Sequence, residues 1–313
     1  MKEVLRIKNV NKVIKGTRIL KDINFSVHSG EIVGFVGPNG AGKTSTIKLI
    51  VGLSKIEEGE IFICGYNVQE KYSEAIKYVG AISEMPQFYN FMSARKNLIH
   101  YAKMNGKVDK KYIEEILEVV DLLKVMDKKV KTFSLGMKQR LGIAQALIHK
   151  PSLLILDEPT NGLDPQGIIE LRQNLMFFAK NEGIAILISS HIMSELEIIC
   201  SKVIMISNGE ILEIQDLQNN NNTKKNRYVI TVDSNQLAIT NELVKLYDNN
   251  AVVDEKSSNL IVNLQIEKVP DFIRTLSKEV NIYQFKNANV TLEEKYLASV
   301  KGRGDRNDSA NTK

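Results

Sequence analysis

A glycine-rich loop between an apolar strand and a helix is the feature that most constrains this chain. The segment GPNGAGKTS, residues 37–45, follows the apolar run Ile32–Val36 and opens the helical run Thr44–Val51. Glycine lets the backbone approach a ligand closely, and a helix N-terminus points N–H groups at anions. The motif predicts a phosphate-binding loop. The predicted nucleotide ligands are Gly37, Pro38, Asn39, Gly40, Ala41, Gly42, Lys43, Thr44 and Ser45.

Four polar side chains in and beyond this loop have separate predicted roles. We expect Lys43 to hold the β and γ phosphates of ATP and the Thr44 hydroxyl to ligate Mg²⁺. In the run Leu153–Thr160, LLILDEPT, a predicted buried strand ends at two consecutive carboxylates. Carboxylates are costly in a core unless a cation or a reaction uses them. Asp157 is therefore predicted to hold Mg²⁺ through its water shell, and Glu158 to act as the base that polarises the attacking water.

A histidine follows another apolar strand. His191 comes after IAILISS, at the end of a strand where ligands gather in parallel sheets. The residues alone leave a structural and a functional role for His191 both open. The other histidines, His28, His100 and His149, are interpreted as structural.

The first two thirds of the chain predict an α/β fold. From Val4 to about Ile214, short β-branched runs alternate with helical stretches, which favours a mostly parallel sheet. Asn208-Gly209 between two apolar segments predicts a hairpin that closes a domain of residues 1–217. The 42 Lys and Arg residues only slightly outnumber the 37 Asp and Glu residues, so the net charge does not indicate a nucleic-acid-binding surface. No uncharged run reaches the roughly 18 residues that span a bilayer, so we expect a cytoplasmic protein without its own transmembrane segment.

A second, smaller domain follows a polar linker. Residues 218–226, QNNNNTKKN, are too polar to form a core and are predicted to be a linker. Residues 227–300 predict the order βαββαβ, which is compatible with a small α+β domain of ferredoxin-like fold. Residues 301–313 are predicted to be a disordered tail.

Five ordered motifs carry a family resemblance. The order GPNGAGKTS, SLGMKQR (Ser134–Arg140), LILDEP, NGLD (Asn161–Asp164) and SSH (Ser189–His191) resembles the nucleotide-binding subunits of ABC transporters. The resemblance covers about residues 4 to 215. It implies a P-loop ATPase fold with a helical subdomain, and a subunit that hydrolyses ATP to drive integral-membrane permease subunits at the inner face of the cell membrane.

The same resemblance implies roles for four more residues. Ser134 and Gly136 belong to the signature loop, which contacts the γ-phosphate held by the opposite subunit. Asp164 is similar to the residue that couples the two sites, and His191 to the histidine that contacts the γ-phosphate. Two complete sites would then form only in a head-to-tail homodimer.

Departures from the general family pattern indicate which subfamily the chain resembles. Leu135 and Met137 stand where the signature usually has glycine and glutamine. Ile14 stands where an aromatic residue usually stacks on adenine, so we expect Ile14 to hold adenine by apolar contact. Glu84 aligns with a glutamine that ligates the metal and is predicted to be a catalytic metal ligand, since Gln87 falls three positions late. The chain also contains VTLEEKYLASV, a segment that resembles the end of the C-terminal extension of drug and antibiotic exporter ATPases. Together these features resemble the ATPases of bacitracin and lantibiotic self-protection exporters.

Two alternatives remain at this point. A general drug or lipid exporter of the same architecture would carry the same motifs. A non-transport ABC ATPase that acts on DNA or ribosomes typically has two cassettes or a long coiled coil. This chain shows one P-loop and no heptad run, which favours transport.

Overall fold

The computed structural model describes residues 2–83, 85–106, 108–217, 226–254, 259–288, 293–294 and 296. They belong to two compact units, one ending at Leu217 and one lying within Gln218–Ala298. The predicted linker through residue 225 and the predicted tail lie outside the described residues, as does most of VTLEEKYLASV. Asn226, which the sequence assigns to the linker, is already the first residue of a strand.

The first unit alternates strands and helices. Its strands are β1 (Glu3–Ile14), β2 (Thr17–His28), β3 (Ile32–Val36), β4 (Glu58–Ile63), β5 (Tyr66–Asn67), β6 (Val79–Ile82), β7 (Leu153–Asp157), β8 (Ala185–Ser190), β9 (Lys202–Ser207) and β10 (Glu210–Asp216). Its α-helices are α1 (Lys43–Ile50), α2 (Tyr72–Ala75), α3 (Ala94–Met104), α4 (Lys110–Val119), α5 (Leu135–Leu147), α6 (Pro165–Glu182) and α7 (Met193–Ile199).

Two sheets organise this unit. The larger has the order β10-β9-β3-β8-β7-β6, parallel except for the edge pair β9 and β10. The smaller, β2-β1-β4-β5, is antiparallel. The predicted mostly parallel sheet is therefore confirmed. The predicted hairpin is also present, because Asn208 (φ 48°) and Gly209 (φ 76°) both have the positive φ that a tight type I′ turn requires.

The central parallel strands are buried along almost their whole length. Every residue of β3 and β8 is buried, as expected for strands covered on both faces. Phe35 of β3 is fully buried and its ring lies 5.6 Å from that of Phe25 on β2. Burying each such side chain contributes about 1.5–3 kcal/mol. The apolar core thus fixes where β3 ends and the glycine-rich loop begins.

Helices α3, α4 and α5 pack on one another and form the helical subdomain that the resemblance implies. Each begins at a side-chain cap. Ser93 accepts a hydrogen bond from Lys96 N, Asp109 from Tyr112 N and Ser134 from Met137 N. These caps satisfy backbone donors that the first turn of a helix leaves free.

The second unit contains β11 (Asn226–Val232), α8 (Leu237–Lys245), β12 (Val252–Asp254), β13 (Asn259–Leu264), α9 (Val269–Leu276) and β14 (Ile282–Asn287). Its antiparallel sheet has the order β12-β13-β11-β14. Alternate strand residues such as Ile230 and Val262 pack against Val244 of α8 and Phe272 of α9. One face of the sheet is therefore covered by both helices, and the strand order is that of the predicted ferredoxin-like fold.

Candidate functional site

The glycine-rich loop joins the buried end of β3 to α1, which begins at Lys43. A side chain at Gly37 would lie 2.2 Å from the Ile206 carbonyl oxygen, and one at Gly42 would lie 2.6 Å from Leu20 Cδ2. Gly42 also has a φ of 110°, which side chains rarely adopt. Both glycines are therefore required by the fold, and they leave the first turn of α1 open to an anion.

Lys43 is held inside its own loop. Its side chain is buried, and Nζ donates to the Gly37 carbonyl oxygen at 2.7 Å and to that of Pro38 at 3.3 Å. Nζ also lies 3.3 Å from Glu158 Oε1. The loop thus positions a cation at the helix N-terminus, beside the carboxylate predicted to be the general base.

Asp157 links the loop to the neighbouring strand. The Thr44 hydroxyl donates to Asp157 Oδ2 at 3.0 Å, and the Ser189 hydroxyl donates to Asp157 Oδ1. β7 and β8 are parallel and pair Asp157 with Ser189, so both side chains lie at the carboxyl edge of the sheet. Thr44 and Asp157, two of the three predicted metal ligands, are thereby in direct contact.

Glu158 turns sharply away from β7. Its φ is 51°, and its N–H lies 3.0 Å from Ser189 Oγ and 3.2 Å from the Ser189 carbonyl oxygen. Such a conformation costs about 1–3 kcal/mol and clusters at functional sites. Glu158 Oε2 lies 2.7 Å from His191 Nδ1, while Oε1 faces Lys43. The predicted base is therefore held between two of the predicted phosphate-contacting residues.

Two clefts meet at Glu158. The larger, of about 440 Å³, is lined by Ile14, Ile19, Asn39, Gly40, Gly42, Lys43, Thr44, Ser45, Glu158, Asn161 and His191. Ile14 and Ile19 supply its apolar surface. The smaller, of about 340 Å³, is lined by Ser83, Met85, Gln139, Asp157, Glu158 and Asn161.

Most of the predicted site is brought together here. The carbonyl oxygens of Gly37 and Pro38 accept hydrogen bonds from Lys43, and Ala41 is a buried residue of the loop. Ser134, Gly136 and Asp164 are not among the described residues that line either cleft. Ser134 instead caps α5, and Asp164 caps α6 by accepting from Gly167 N at 2.9 Å. Glu84 lies outside the described residues.

Sequence reasoning assigned no role to six described residues of this site: Ile19, Ser83, Met85, Gln139, Asn161 and Ser189. Ser189 was recognised only as part of the SSH motif, although its place at the end of a strand beside LLILD could have suggested a contact with Asp157. Ile19, Asn161 and Gln139 line the clefts. Asn161 and Gln139 belong to the NGLD and SLGMKQR motifs, and Ile19 has no distinguishing local sequence. Their place in the clefts depends on how β2, the NGLD segment and α5 fold around the loop.

The donor set fits Mg²⁺. Thr44 and Asp157 offer a hydroxyl and a carboxylate, and hard oxygen ligands are those that Mg²⁺ prefers. The described residues contain no group of three or more His, Cys, Asp or Glu side chains arranged for a metal. A hydroxyl and a carboxylate are a ligand set that suits Mg²⁺, which commonly uses one or two protein ligands with waters and substrate phosphates.

The fold and the site define a P-loop ATPase: a glycine-rich loop, a buried lysine, an aspartate beside the loop threonine and a carboxylate poised next to them. A family model described as "ABC transporter" matches residues 20–161. The uncharacterised ABC transporter ATP-binding protein YhcH of Bacillus subtilis is 42% identical over 298 residues, which are 95% of this chain and 96% of that protein. The chain belongs to the ATP-binding proteins of ABC transporters, which hydrolyse ATP to power transport.

Other similar proteins include two with named roles. The bacitracin transport ATP-binding protein BcrA of Bacillus licheniformis is 46% identical, covering 68% of this chain and 70% of BcrA. The lantibiotic transport ATP-binding protein SrtF of Streptococcus pyogenes is 42% identical, covering 67% of this chain and 89% of SrtF.

Solved structures agree on the fold. An ATP-binding subunit of an ABC transporter is 32% identical, with a TM-score of 0.62 over 69% of this chain and 91% of that one. A dimeric ATP-binding cassette bound to ADP and Pi, 24% identical, has a TM-score of 0.60 over 68% of this chain and 98% of its own. Among the described helices, none is both long and apolar enough to cross a membrane.

Proposed function

We propose that this chain is the ATPase subunit of an exporter that expels an antimicrobial peptide or a similar amphipathic compound. The observation that carries the hydrolytic part is the arrangement of Glu158 between Lys43 and His191. The substrate class is supported by the relatives BcrA and SrtF, whose names assign them to bacitracin and lantibiotic transport.

Each side chain of the site has a task in hydrolysis. Lys43, already fixed by two loop carbonyls, binds the β and γ phosphates. Glu158 accepts a proton from the attacking water, a contribution of roughly 10²- to 10⁴-fold. His191 holds one carboxylate oxygen of Glu158 at 2.7 Å and so orients the base.

Mg²⁺ would be held by Thr44 and Asp157, and when bound it supplies positive charge that neutralises the phosphate oxygens. Ser189 keeps the Asp157 carboxylate in place by donating to Oδ1. Glu84 is proposed as a further ligand on the resemblance alone. The residues on either side of it, Ser83 and Met85, line the cleft that contains Asp157 and Glu158.

A homodimer through the ATPase domains completes the proposed site. Ser134 and Asp164 are exposed and lie outside both clefts of their own subunit, which is consistent with a task in a partner's site. In this arrangement, Ser134 and Gly136 contact the γ-phosphate on the opposite subunit and Asp164 couples the two sites. A dimeric cassette among the structural neighbours supports this assembly.

An integral-membrane permease is the proposed second partner. Met85, Tyr89 and Phe91 are 52%, 43% and 67% exposed. The Tyr89 ring lies 5.9 Å from Phe91 and 5.1 Å from His100. Exposed apolar side chains grouped in this way are typical of surfaces that associate with another protein, which supports this proposal. Because Met85 also lines the cleft at Glu158, a permease bound here at the cytoplasmic face of the membrane could sense nucleotide.

Glu158→Gln tests the proposed function both in the purified protein and in cells. The amide keeps the shape but accepts no proton, so the purified variant should bind ATP normally and hydrolyse it about 10²- to 10⁴-fold more slowly, a barrier increase of roughly 3–5 kcal/mol. The matched control is Glu74→Gln, which removes an exposed carboxylate paired with Lys77. Near-normal turnover by Glu158→Gln would remove Glu158 from this role.

In cells, the wild-type chain with its permease should raise the inhibitory concentration of bacitracin or a lantibiotic, and Glu158→Gln should not. A strain lacking the gene is complemented with wild type, Glu158→Gln or Glu74→Gln and exposed to both peptides and to ethidium. Protection against ethidium alone would instead identify a general drug exporter.

A further inference from the structure

Leu135, where the family pattern has glycine, lies against the NGLD segment of its own subunit. Gly162, in the second position of that segment, has a φ of +75°. A methyl group placed on Gly162 would lie 2.6 Å from Leu135 Cδ2. The space that a side chain at position 162 would occupy is therefore already filled by Leu135.

A second leucine makes the reverse contact. A methyl group on Gly136 would lie 3.6 Å from Leu163 Cδ2, and one on Gly167 would lie 3.4 Å from Leu163 Cβ. Leu135 of the signature loop thus covers Gly162, while Leu163 of the NGLD segment covers Gly136. Each segment therefore places a leucine side chain over a glycine of the other segment.

The helices behind these segments are joined as well. Ser134 caps α5 and Asp164 caps α6, so each segment is fixed to the first turn of its helix. Further along α5, Arg140 Nη1 lies 3.5 Å from Glu170 Oε2 on α6. The leucine contacts and this ion pair connect the N-terminal parts of α5 and α6 at two levels.

We propose that Leu135 is a positioning residue that clamps the NGLD segment to the signature loop, so that both segments reach the partner subunit's nucleotide as one rigid body. This inference rests on the proposed dimer, in which Ser134, Gly136 and Asp164 act on the opposite site. With glycine at position 135, the two segments would have to be ordered separately when the dimer closes. Ordering each additional flexible residue opposes association.

The first test is the closure of the dimer itself. In a Glu158→Gln background, Leu135→Gly should weaken ATP-driven dimerisation by about tenfold or more, as measured by analytical ultracentrifugation. Binding of a fluorescent ATP analogue by the separate subunits should be unchanged, because Leu135 does not line the cleft of its own subunit. Leu135→Met, which keeps an apolar side chain of similar length, should restore dimerisation.

A double-mutant cycle tests the contact between the two residues. Gly162→Ala should impair dimerisation, both because of its positive φ and because the new methyl group meets Leu135. Combining it with Leu135→Ala should impair dimerisation less than the product of the two single effects, because removing the leucine methyl groups makes room. Strictly multiplicative effects would overturn the clamp, as would equal dimerisation by Leu135→Gly and the parent protein.

The outcomes separate the two proposals. If the parent Glu158→Gln protein binds ATP but never dimerises, the proposed dimer is wrong. If it dimerises and Leu135→Gly does so equally well, only the clamp is wrong. Thermal denaturation checks each variant, and if Leu135→Gly does not fold, the alanine cycle decides the question.

Discussion

Ser189 holds Asp157 by donating its hydroxyl to Oδ1, and the Ser189 oxygen lies 3.0 Å from the Glu158 N–H. One fully buried side chain on β8 therefore positions both acidic residues at the end of β7. The parallel pairing of Asp157 with Ser189 makes this possible, because it brings the ends of the two strands to the same level. β8 lies between β7 and β3, the strand that leads into the glycine-rich loop. β8 therefore fixes both the proposed metal ligand, Asp157, and the proposed base, Glu158.

Ser189→Ala should therefore lower the rate of ATP hydrolysis by roughly tenfold or more. A hydrogen bond to a charged group contributes about 1.5–3 kcal/mol, and its loss leaves Asp157 and Glu158 less well fixed. The measurement is steady-state ATPase activity of the purified protein at saturating ATP and Mg²⁺.

Ser201→Ala is the matched control. The Ser201 hydroxyl donates to the Ile32 carbonyl oxygen at 3.0 Å, at the start of β3 and away from the site. Its loss should reduce stability without a comparable effect on turnover. Equal losses of activity in the two variants would mean that Ser189 acts only through stability.

The base-binding part of the cleft leads to a second prediction. Ile14 and Ile19 offer apolar contact but no aromatic ring, so the site should discriminate poorly between purines. GTP should compete with ATP within about tenfold, a difference of roughly 1.4 kcal/mol. Competition against a fluorescent ATP analogue measures this, and much stronger discrimination would require a residue that reads the purine edge.

Ile14→Tyr should tighten nucleotide binding, since stacking of a base on an aromatic ring contributes about 1–3 kcal/mol. Ile14 is 45% exposed at the end of β1, so a larger side chain can be accommodated there. Ile14→Leu is the control for a change of shape without a ring. An unchanged affinity in Ile14→Tyr would mean that the base does not lie against this residue.

Local patterns predicted much of the fold. The buried runs that became β3, β7 and β8 were recognisable because a strand covered on both faces is apolar along most of its length. The hairpin at Asn208-Gly209 was recognisable because its turn needs two positive φ angles. The P-loop residues are consecutive in the chain, so their cleft could be predicted without any tertiary information.

Contacts between distant segments could not be predicted in this way. The Ser189–Asp157 hydrogen bond depends on the register of two strands separated by α6. The fit of Leu135 over Gly162 depends on how two helix N-termini meet. Leu135 was recognised in the sequence only as a departure from a pattern, and its physical partner became visible in the fold.

A further prediction concerns stability at low pH. His149 Nε2 lies 3.0 Å from the Val79 carbonyl oxygen, and burial lowers the pKa of His149 below its usual value despite this hydrogen bond. Below about pH 6.5 the unfolded chain therefore binds a proton that the folded chain does not. Stability should fall as the pH decreases through that value.

His149→Gln removes this contribution, because an amide can donate to Val79 but does not titrate. Urea denaturation at pH 7.5 and at pH 5.5 gives the free energy of unfolding of both proteins. The loss of stability between these two pH values should be smaller in the variant than in the wild type. An identical loss would show that protonation of His149 does not contribute to it.

The last prediction concerns Glu84, where the family places a neutral glutamine. A carboxylate offers Mg²⁺ an oxygen ligand as an amide does, so Glu84→Gln should keep most of the ATPase activity of the purified subunit. The exchange removes one negative charge between Ser83 and Met85, which line the cleft at Glu158, and Met85 also belongs to the exposed surface proposed for the permease. We expect the Glu84 carboxylate to pair with a basic residue of the permease. The electrostatic environment of this carboxylate would change when phosphate leaves.

Glu84→Gln should therefore lower the peptide resistance that the assembled transporter confers on cells more than it lowers hydrolysis. Gln87→Glu, an exposed position three residues along the chain, is the control for a change of charge in the same loop. The two activities are measured in parallel for each variant. Equal falls in hydrolysis and resistance would make Glu84 an ordinary metal ligand. Unchanged values of both would give it no part in coupling, because a charge that communicates with the permease cannot be removed without affecting transport.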